Sequence, residues 1–281
     1  MKRKTLNNEL LERFEHYLRS EEKSKATVAK YMRDVTMLRN YAAKKRLSKD
    51  ILIGFKEDLF RRGYKVSSIN SIISSVNCLL DFMDLGEYRL KNMKVQKKLF
   101  SSEEAELTLE EYQRLLEVAE KHKKKKLWLV MQTICSTGIR VSELRYITVD
   151  AVKHGQATVR LKGKTRDIII VNSLRERIME YAEEAGIEEG PVFLGSKGEP
   201  LERNSVWRGM KRLCLEAGVN PEKVYPHNLR HLFARALYDS DKDLAKLADI
   251  LGHSSVDTTR IYIVSTGSAH RQLMENLHLV P

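Results

Sequence analysis

The chain has 281 residues, 42% of them hydrophobic and 31% charged, with a net charge of +12; this fits a globular protein of one large or two modest domains, and no apolar run approaches the roughly 18 residues that a membrane-spanning helix needs. The basic start "MKRKTLNNELLERFEHYL" enters an amphipathic pattern without an apolar signal core, so a non-exported, cytoplasmic chain is expected. Cys78, Cys135 and Cys214 are odd in number and far apart, which argues against a disulfide framework or a CxxC metal pair and for small core residues in a reducing compartment.

Helical periodicity fills the first hundred residues. "LLERFEHYL" puts Leu10, Phe14, Tyr17 and Leu18 on one face, and "TVAKYMRDVTMLRNYA" does the same with Val28, Tyr31, Met32, Val35, Leu38 and Tyr41. "ILIGFKEDLFRRG" predicts a third helix capped at Gly63, and "SSINSIISSVNCLLDFMDLG" a fourth that runs to Gly86. The positive excess lies here: residues 1–100 carry 23 Lys/Arg against 12 Asp/Glu, whereas the other 181 carry 27 against 26. A polyanionic partner held mainly by this third is the functional reading, and a solubilising surface is the alternative.

From Lys94 to Glu106 the chain has no clear period and mixed charge, the mark of a linker. "TLEE", Thr108 to Glu111, is a capping box that opens the next helix. "KHKKKK", Lys121 to Lys126, reads as a solvated helix end or loop rather than a phosphate contact, and "LWLVMQTICSTG" as a buried helix stopped by Gly138. The one clear β signal follows: "QATVRL" and "RDIIIV" flank "KGKT", where Gly163 supplies the positive φ of a tight hairpin. Helices are then expected at about 173–186, 203–217, 227–238, 243–251 and 255–263, with a short one within 268–277. The whole reads as a mainly α chain with one small β-hairpin: a helical domain over 1–95, a linker over 96–107, and an α+β domain over 108–281.

Several groups fit poorly with a purely structural role. Arg140, in "STGIRVSEL", lies just past a buried helix, where a core favours an apolar residue. Lys162 and Lys164 flank Gly163 at the hairpin tip. In "YPHNLRHLFARAL", Pro226 suits a helix's first turn, and His227, Arg230 and His231 project from one side of it, near the positive end of the helix dipole. His253 sits past the Gly252 cap of "DLAKLADILGHSS", and Tyr262 follows on the next helix. Taken singly, each has an ordinary reading as a surface, capping or packing residue. From them a site of two guanidiniums, one ammonium, two imidazoles and a phenol can be assembled, a set suited to phosphoryl transfer, whose transition state gathers negative charge on non-bridging oxygens. The spacing of His227 and His231 also suits a zinc pair, but a zincin needs Glu directly after the first His and Asn228 stands there, with no Cys or acidic ligand set nearby in sequence. No metal and no cofactor is expected.

Arg140 in "TGIRVSEL", Lys162 in the hairpin, "HNLRH" at 227–231, "LGHSSVDTT" at 251–259 and Tyr262 follow the order of the motifs of the tyrosine recombinases, the phage-type or Xer-like integrases, and the chain resembles that family over nearly its whole length. "SKATVAKYMRDVTMLRNYA" is similar, more loosely, to the first long helix of the family's core-binding domain. The resemblance implies a helical core-binding domain followed by an α+β catalytic domain. It implies a site-specific recombinase in which Tyr262 attacks a DNA phosphate and forms a 3′-phosphotyrosyl bond. Arg140 and Arg230 clamp the phosphate, His227 accepts the phenol proton, His253 hydrogen-bonds the phosphate and Lys162 protonates the leaving 5′-oxygen. Glu143 and His231 orient these groups. The hairpin "LKGKTRDI" is one residue shorter than the family's "GKGxKxR", so Lys164 stays open as the active lysine beside Lys162.

The resemblance also implies double-stranded DNA bearing a specific core site as the partner, and a homotetramer that exchanges strands through a Holliday junction without metal or ATP. Accessory directionality factors and a nucleoid location go with it. "GSAHRQLMENLHLV", Gly267 to Val280, is expected to dock on a neighbouring protomer or to pack on its own chain. The biological role is integration or excision of a mobile element, or resolution of chromosome dimers. Three rivals remain: a type IB topoisomerase, which religates the same strand; a non-catalytic DNA-binding regulator of the same fold; and a metallo-nuclease.

Overall fold

The computed structural model describes residues 5–43, 45–94, 106–161, 164–195, 198–253, 255–260 and 262. The chain divides into two compact units, residues 1–97 and 98–281. Among the described residues no helix is long and apolar enough to cross a membrane.

The first unit holds α1 (Asn8–Ser20), α2 (Lys25–Ala42), α3 (Lys49–Arg61) and α4 (Val66–Phe82). The side chains of Asn7, Ser24 and Ser48 each accept a hydrogen bond from a first-turn N–H of α1, α2 and α3, respectively. α4 is the central helix: it packs on the other three and buries Ile69, Ile72, Ile73, Val76, Leu79 and Leu80. It ends at Phe82, short of the expected Gly86. Asp84 takes a left-handed φ of 56° and the Leu85 N–H bonds back to the Leu80 carbonyl at 2.8 Å, so the chain turns sharply and Leu85 enters the core. Asn77 and Asn70, two turns apart on α4, then clamp the backbone of Leu90 and Met93 by paired bonds of 2.8–2.9 Å.

The second unit begins with α5 (Leu109–Lys121), whose Thr108–Glu111 capping box forms as expected, and α6 (Lys125–Thr137). "KHKKKK" is the turn between them; Lys121 pairs with Glu216, and Lys125 with Glu180 and Glu184. α6 is buried through Leu129, Val130, Met131 and Ile134 and stops at Gly138, φ 64°. A 3-10 stretch, Val141–Tyr146, and α7 (Val149–His154) lead into the antiparallel hairpin of β1 (Gln156–Leu161) and β2 (Lys164–Ile169), in register from Gln156↔Ile169 to Leu161↔Lys164.

After α8 (Asn172–Glu184), the single helix expected over 203–217 is two: α9 (Arg203–Lys211) and α10 (Cys214–Ala217). The two are separated by a turn at Arg212 and Leu213, and Leu213 and Cys214 are both buried in the core. α11 (Pro226–Asp241) packs along α6, and α12 (Leu244–Leu251) and α13 (Val256–Arg260) complete the described elements. The expected helix within 268–277 lies outside the described residues, as do Lys162 and Gly163 at the hairpin tip.

Gly138 joins α6 to the segment that carries Arg140. A Cβ there would run into the Phe233 ring of α11, and the left-handed φ adds strain. Gly138→Ala is therefore expected to destabilise the second unit by roughly 2–5 kcal/mol, the sum of the left-handed and overpacking costs. Both tryptophans, Trp128 and Trp207, lie in that unit, so denaturant unfolding followed by tryptophan fluorescence measures it directly.

Candidate active site

Arg230 is 0% exposed and is the largest fully buried side chain among the described residues. It projects from the first turns of α11, which Pro226 starts at its first position. Nη1 donates to the carbonyl of Gly138, and Nη2 to the carbonyl of Leu251 at 2.8 Å. These are acceptors at the C-terminal ends of α6 and α12, where helix carbonyls lack intrahelical partners and carry partial negative charge. Two helix ends thus solvate the buried cation, and no carboxylate pairs with it among the described residues. Burial, with Arg140 nearby, pushes its pKa down to about 10, which leaves it charged at neutral pH.

The remaining guanidinium edges face the chemistry. Nη2 lies 3.0 Å from His253 Nε2 and Nε 3.4 Å from the Tyr262 hydroxyl. Tyr262 is 4% exposed, and its hydroxyl is also 3.4 Å from His227 Nε2. Its ring centroid lies 4.3 Å from that of His231 and 5.5 Å from that of His253, nearly parallel to the latter at 14°. His231 meets His227 edge-on at 4.9 Å. On the far side, His253 Nδ1 reaches the hydroxyl of the fully buried Thr259 at 2.8 Å.

Arg140 is fixed by Glu143, 1% exposed, which accepts from the Arg140 N–H at 2.8 Å and from its Nη1 at 2.9 Å. Arg166 of β2 donates to the same carboxylate at 2.5 Å and to the Ile250 carbonyl at 2.5 Å. Burial works to raise the Glu143 carboxyl, but the Arg140 backbone N–H and the Arg166 and Arg140 guanidiniums outweigh it and hold it below the ordinary value. Gly252, φ 66°, lies against the Arg166 side chain with no room for a Cβ, so hairpin and α12 meet closely just before His253.

An open cleft of about 880 Å³ runs over this surface, lined by Arg140, Arg145, Arg203, His227 and Arg230, with Glu202 the one acidic residue on its wall among the described residues. Burial and the neighbouring arginines lower the pKa of His227 and lower that of His253 to about 4, and burial with His227 and Arg230 nearby lowers that of His231 to about 4, so all three imidazoles are neutral at pH 7. Neutral imidazoles accept protons, and the arginines supply the positive charge. Among the described residues no group of His, Cys, Asp or Glu has the arrangement of a metal site.

The structure therefore brings His227, Arg230, His231, His253 and Tyr262 into one cluster and puts Arg140, held by Glu143, on the same cleft. Lys162 lies outside the described residues, and only the backbone of Lys164 is described. Two further residues belong to the cluster and were not singled out from the sequence. Arg166 shares the inward face of β2 with Ile168, and the buried Ile170 just past the strand continues the alternation, so the period-two pattern already turns Arg166 toward the core. Thr259 lies inside the "LGHSSVDTT" motif, but nothing in its spacing says that it faces His253.

The phage integrase family model matches residues 105–268, and the phage integrase N-terminal SAM-like domain matches residues 11–84. Tyrosine recombinase XerA of Pyrococcus furiosus is 33% identical over 100% of this chain and 98% of its own length. The XerA of Thermococcus kodakarensis is 30% identical over 97% of this chain and 96% of its own. Among solved structures, a lambda integrase dimer bound to a COC′ core site has a similar fold, with a TM-score of 0.72 at 22% identity over 92% of this chain and 95% of that one. The chain belongs to the phage integrase family of tyrosine recombinases and is a site-specific recombinase.

The imidazole pKa values dictate a pH dependence. His231 and His253 bind protons more weakly folded, near 4, than unfolded, near 6.5. The unfolded state therefore takes up protons first as the pH falls through that window, and stability drops with it. The denaturation midpoint of the second unit is expected to fall as pH is lowered from about 6.5 toward 4.5, and His231→Phe is expected to flatten that slope.

Proposed function

We propose that this chain cleaves and rejoins DNA with Tyr262 as nucleophile, acting on a phosphate held by Arg140 and Arg230 of the same protomer. The observation that carries this is the position of the Tyr262 hydroxyl, 3.4 Å from both Arg230 Nε and His227 Nε2. A free phenol has a pKa of about 10 and is a weak nucleophile at neutral pH. Beside a buried guanidinium its phenolate is favoured, and the neutral His227 takes its proton.

The phenolate oxygen forms a bond to phosphorus while the P–O5′ bond breaks. The 5′-oxygen leaves with a proton from the hairpin lysine, Lys162 or, in the one-residue-shorter tip, Lys164. Arg140 and Arg230 bind the non-bridging oxygens, and His253 donates a hydrogen bond to one of them. Glu143 holds Arg140 in line through its two bonds, and His231 packs between the Tyr262 and His227 rings. The phosphotyrosyl link conserves the phosphodiester bond energy, so a second strand's 5′-hydroxyl rejoins the backbone without ATP.

The helical unit, with its 23 Lys/Arg against 12 Asp/Glu in residues 1–100, acts as the core-binding domain over 1–95, joined through 96–107 to the catalytic domain over 108–281. Phosphate contacts give it salt-dependent affinity, and base contacts select the core site. Solved lambda integrase forms a tetramer on a Holliday junction. We extend that arrangement to this chain, with strand exchange in a homotetramer on the nucleoid, residues 267–280 docked on the next protomer, and accessory factors setting direction.

The test is a supercoiled plasmid carrying two copies of the core site. Recombination exchanges the segments between the sites, whereas relaxation without exchange would show a topoisomerase. Tyr262→Phe is expected to abolish the covalent adduct while leaving DNA binding intact. Arg140→Ala is expected to slow cleavage by about 10²–10³-fold, the usual loss for one transition-state donor. Both are scored by covalent capture on nicked duplexes and by gel shift.

A further inference from the structure

Arg230 Nη2 stands 3.0 Å from His253 Nε2. A guanidinium only donates, so Nε2 must accept, and the single proton of the neutral imidazole is on Nδ1. Nδ1 in turn lies 2.8 Å from Thr259 Oγ1, so Nδ1–H donates to the hydroxyl. This is the tautomer of the DNA-free site.

The reaction needs the other tautomer. For His253 to donate to a phosphate oxygen from the nitrogen that faces Arg230, the proton must be on Nε2, and Nδ1 becomes an acceptor. The group behind Nδ1 must then change from acceptor to donor. A carbonyl there would hold the proton on Nδ1, and an amide N–H would hold it off. A hydroxyl serves both states by rotating about its C–O bond. Water cannot stand in, because Thr259 is 0% exposed.

We propose that Thr259 is a positioning residue that lets His253 switch from the Nδ1–H tautomer in the free site to the Nε2–H tautomer on the DNA phosphate. One proton leaves Nδ1 and one arrives at Nε2 when the partly exposed imidazole swings briefly to solvent, so the charge of the imidazole does not change. Thr259 also accepts the Tyr262 N–H at its carbonyl, 3.0 Å, so one residue sets both the histidine's hydrogen bond and the nucleophile's backbone. The inference rests on the phosphate role given to His253 above.

Long-range ¹H–¹⁵N spectra of the full chain distinguish the tautomers, with His253 assigned by its loss in His253→Gln. The bound state uses Tyr262→Phe on the duplex that wild type captures covalently from a random-core library. The expected result is Nδ1–H in the free chain and Nε2–H on DNA. Nε2–H in the free chain, or Nδ1–H in both states, overturns the proposal. In cleavage, Thr259→Val is expected to lose about 10- to 100-fold, as for a buried group left without its partner, and Thr259→Ser to recover most of it. In a His253→Gln background, whose amide donates without needing an acceptor behind it, Thr259→Val is expected to cost nothing more. Wild-type rates in Thr259→Val, or the same loss in both backgrounds, overturn the proposal and leave the phosphate role standing. Wild-type rates in His253→Ala remove the phosphate role, and the inference falls with it.

Discussion

A guanidinium with no exposed surface must find its hydrogen bonds inside the protein, and Arg230 finds them on two helix ends. A buried unpaired charge is costly, and most buried arginines offset that cost with a carboxylate. Here the carbonyls of Gly138 and Leu251 take that part. The choice has a chemical consequence. A carboxylate would neutralise the cation and repel a phosphate, whereas helix-end carbonyls hold the guanidinium while leaving its charge for an anion in the cleft. The left-handed glycines that end α6 and α12, Gly138 and Gly252, put those carbonyls where Arg230 needs them.

The rest of the cluster follows from that anchor. His253 comes one residue after the α12 cap, and so arrives beside the guanidinium because Leu251 is held by it. Tyr262 closes over the other edge from α13 and the residues after it. Arg140 leaves the α6 end through the Gly138 turn, and Glu143 ties it to Arg166, which reaches across to Ile250 next to Leu251. Four chain segments distant in sequence thus share two carboxylate oxygens and two helix ends. A change at one of them moves the geometry of the others, and their effects on cleavage will not add.

Much of the fold was legible in the sequence because its signals are local. The 3.6-residue period marked the helices, the capping box marked the start of α5, Gly138 marked the end of α6, and two β-rich runs around a glycine marked the hairpin. The failures were also local, and tertiary packing caused them. Leu85 turns into the core and ends α4 before Gly86, and a turn at Arg212 and Leu213, with Leu213 buried, divides an apparently continuous helix. In the site, residue type and chain order singled out the arginines, histidines and tyrosine. They gave no hint of Thr259, whose role depends on a contact between two elements, nor that Arg230 would be wholly buried. Arg166 was readable in principle from its strand face, but an arginine after two lysines looks like part of a charged tip.

The account stands or falls on whether one protomer carries a complete site, with its own Tyr262 beside its own arginines. The direct measurement is complementation: mix Tyr262→Phe chains with Arg140→Ala chains, whose lost side chain is partly exposed and leaves the core in place, and score covalent DNA adducts. The account predicts no more adduct from the mixture than from the two variants measured apart. Restoration toward the wild-type level would show that the tyrosine serves a phosphate held by another protomer, and would contradict it.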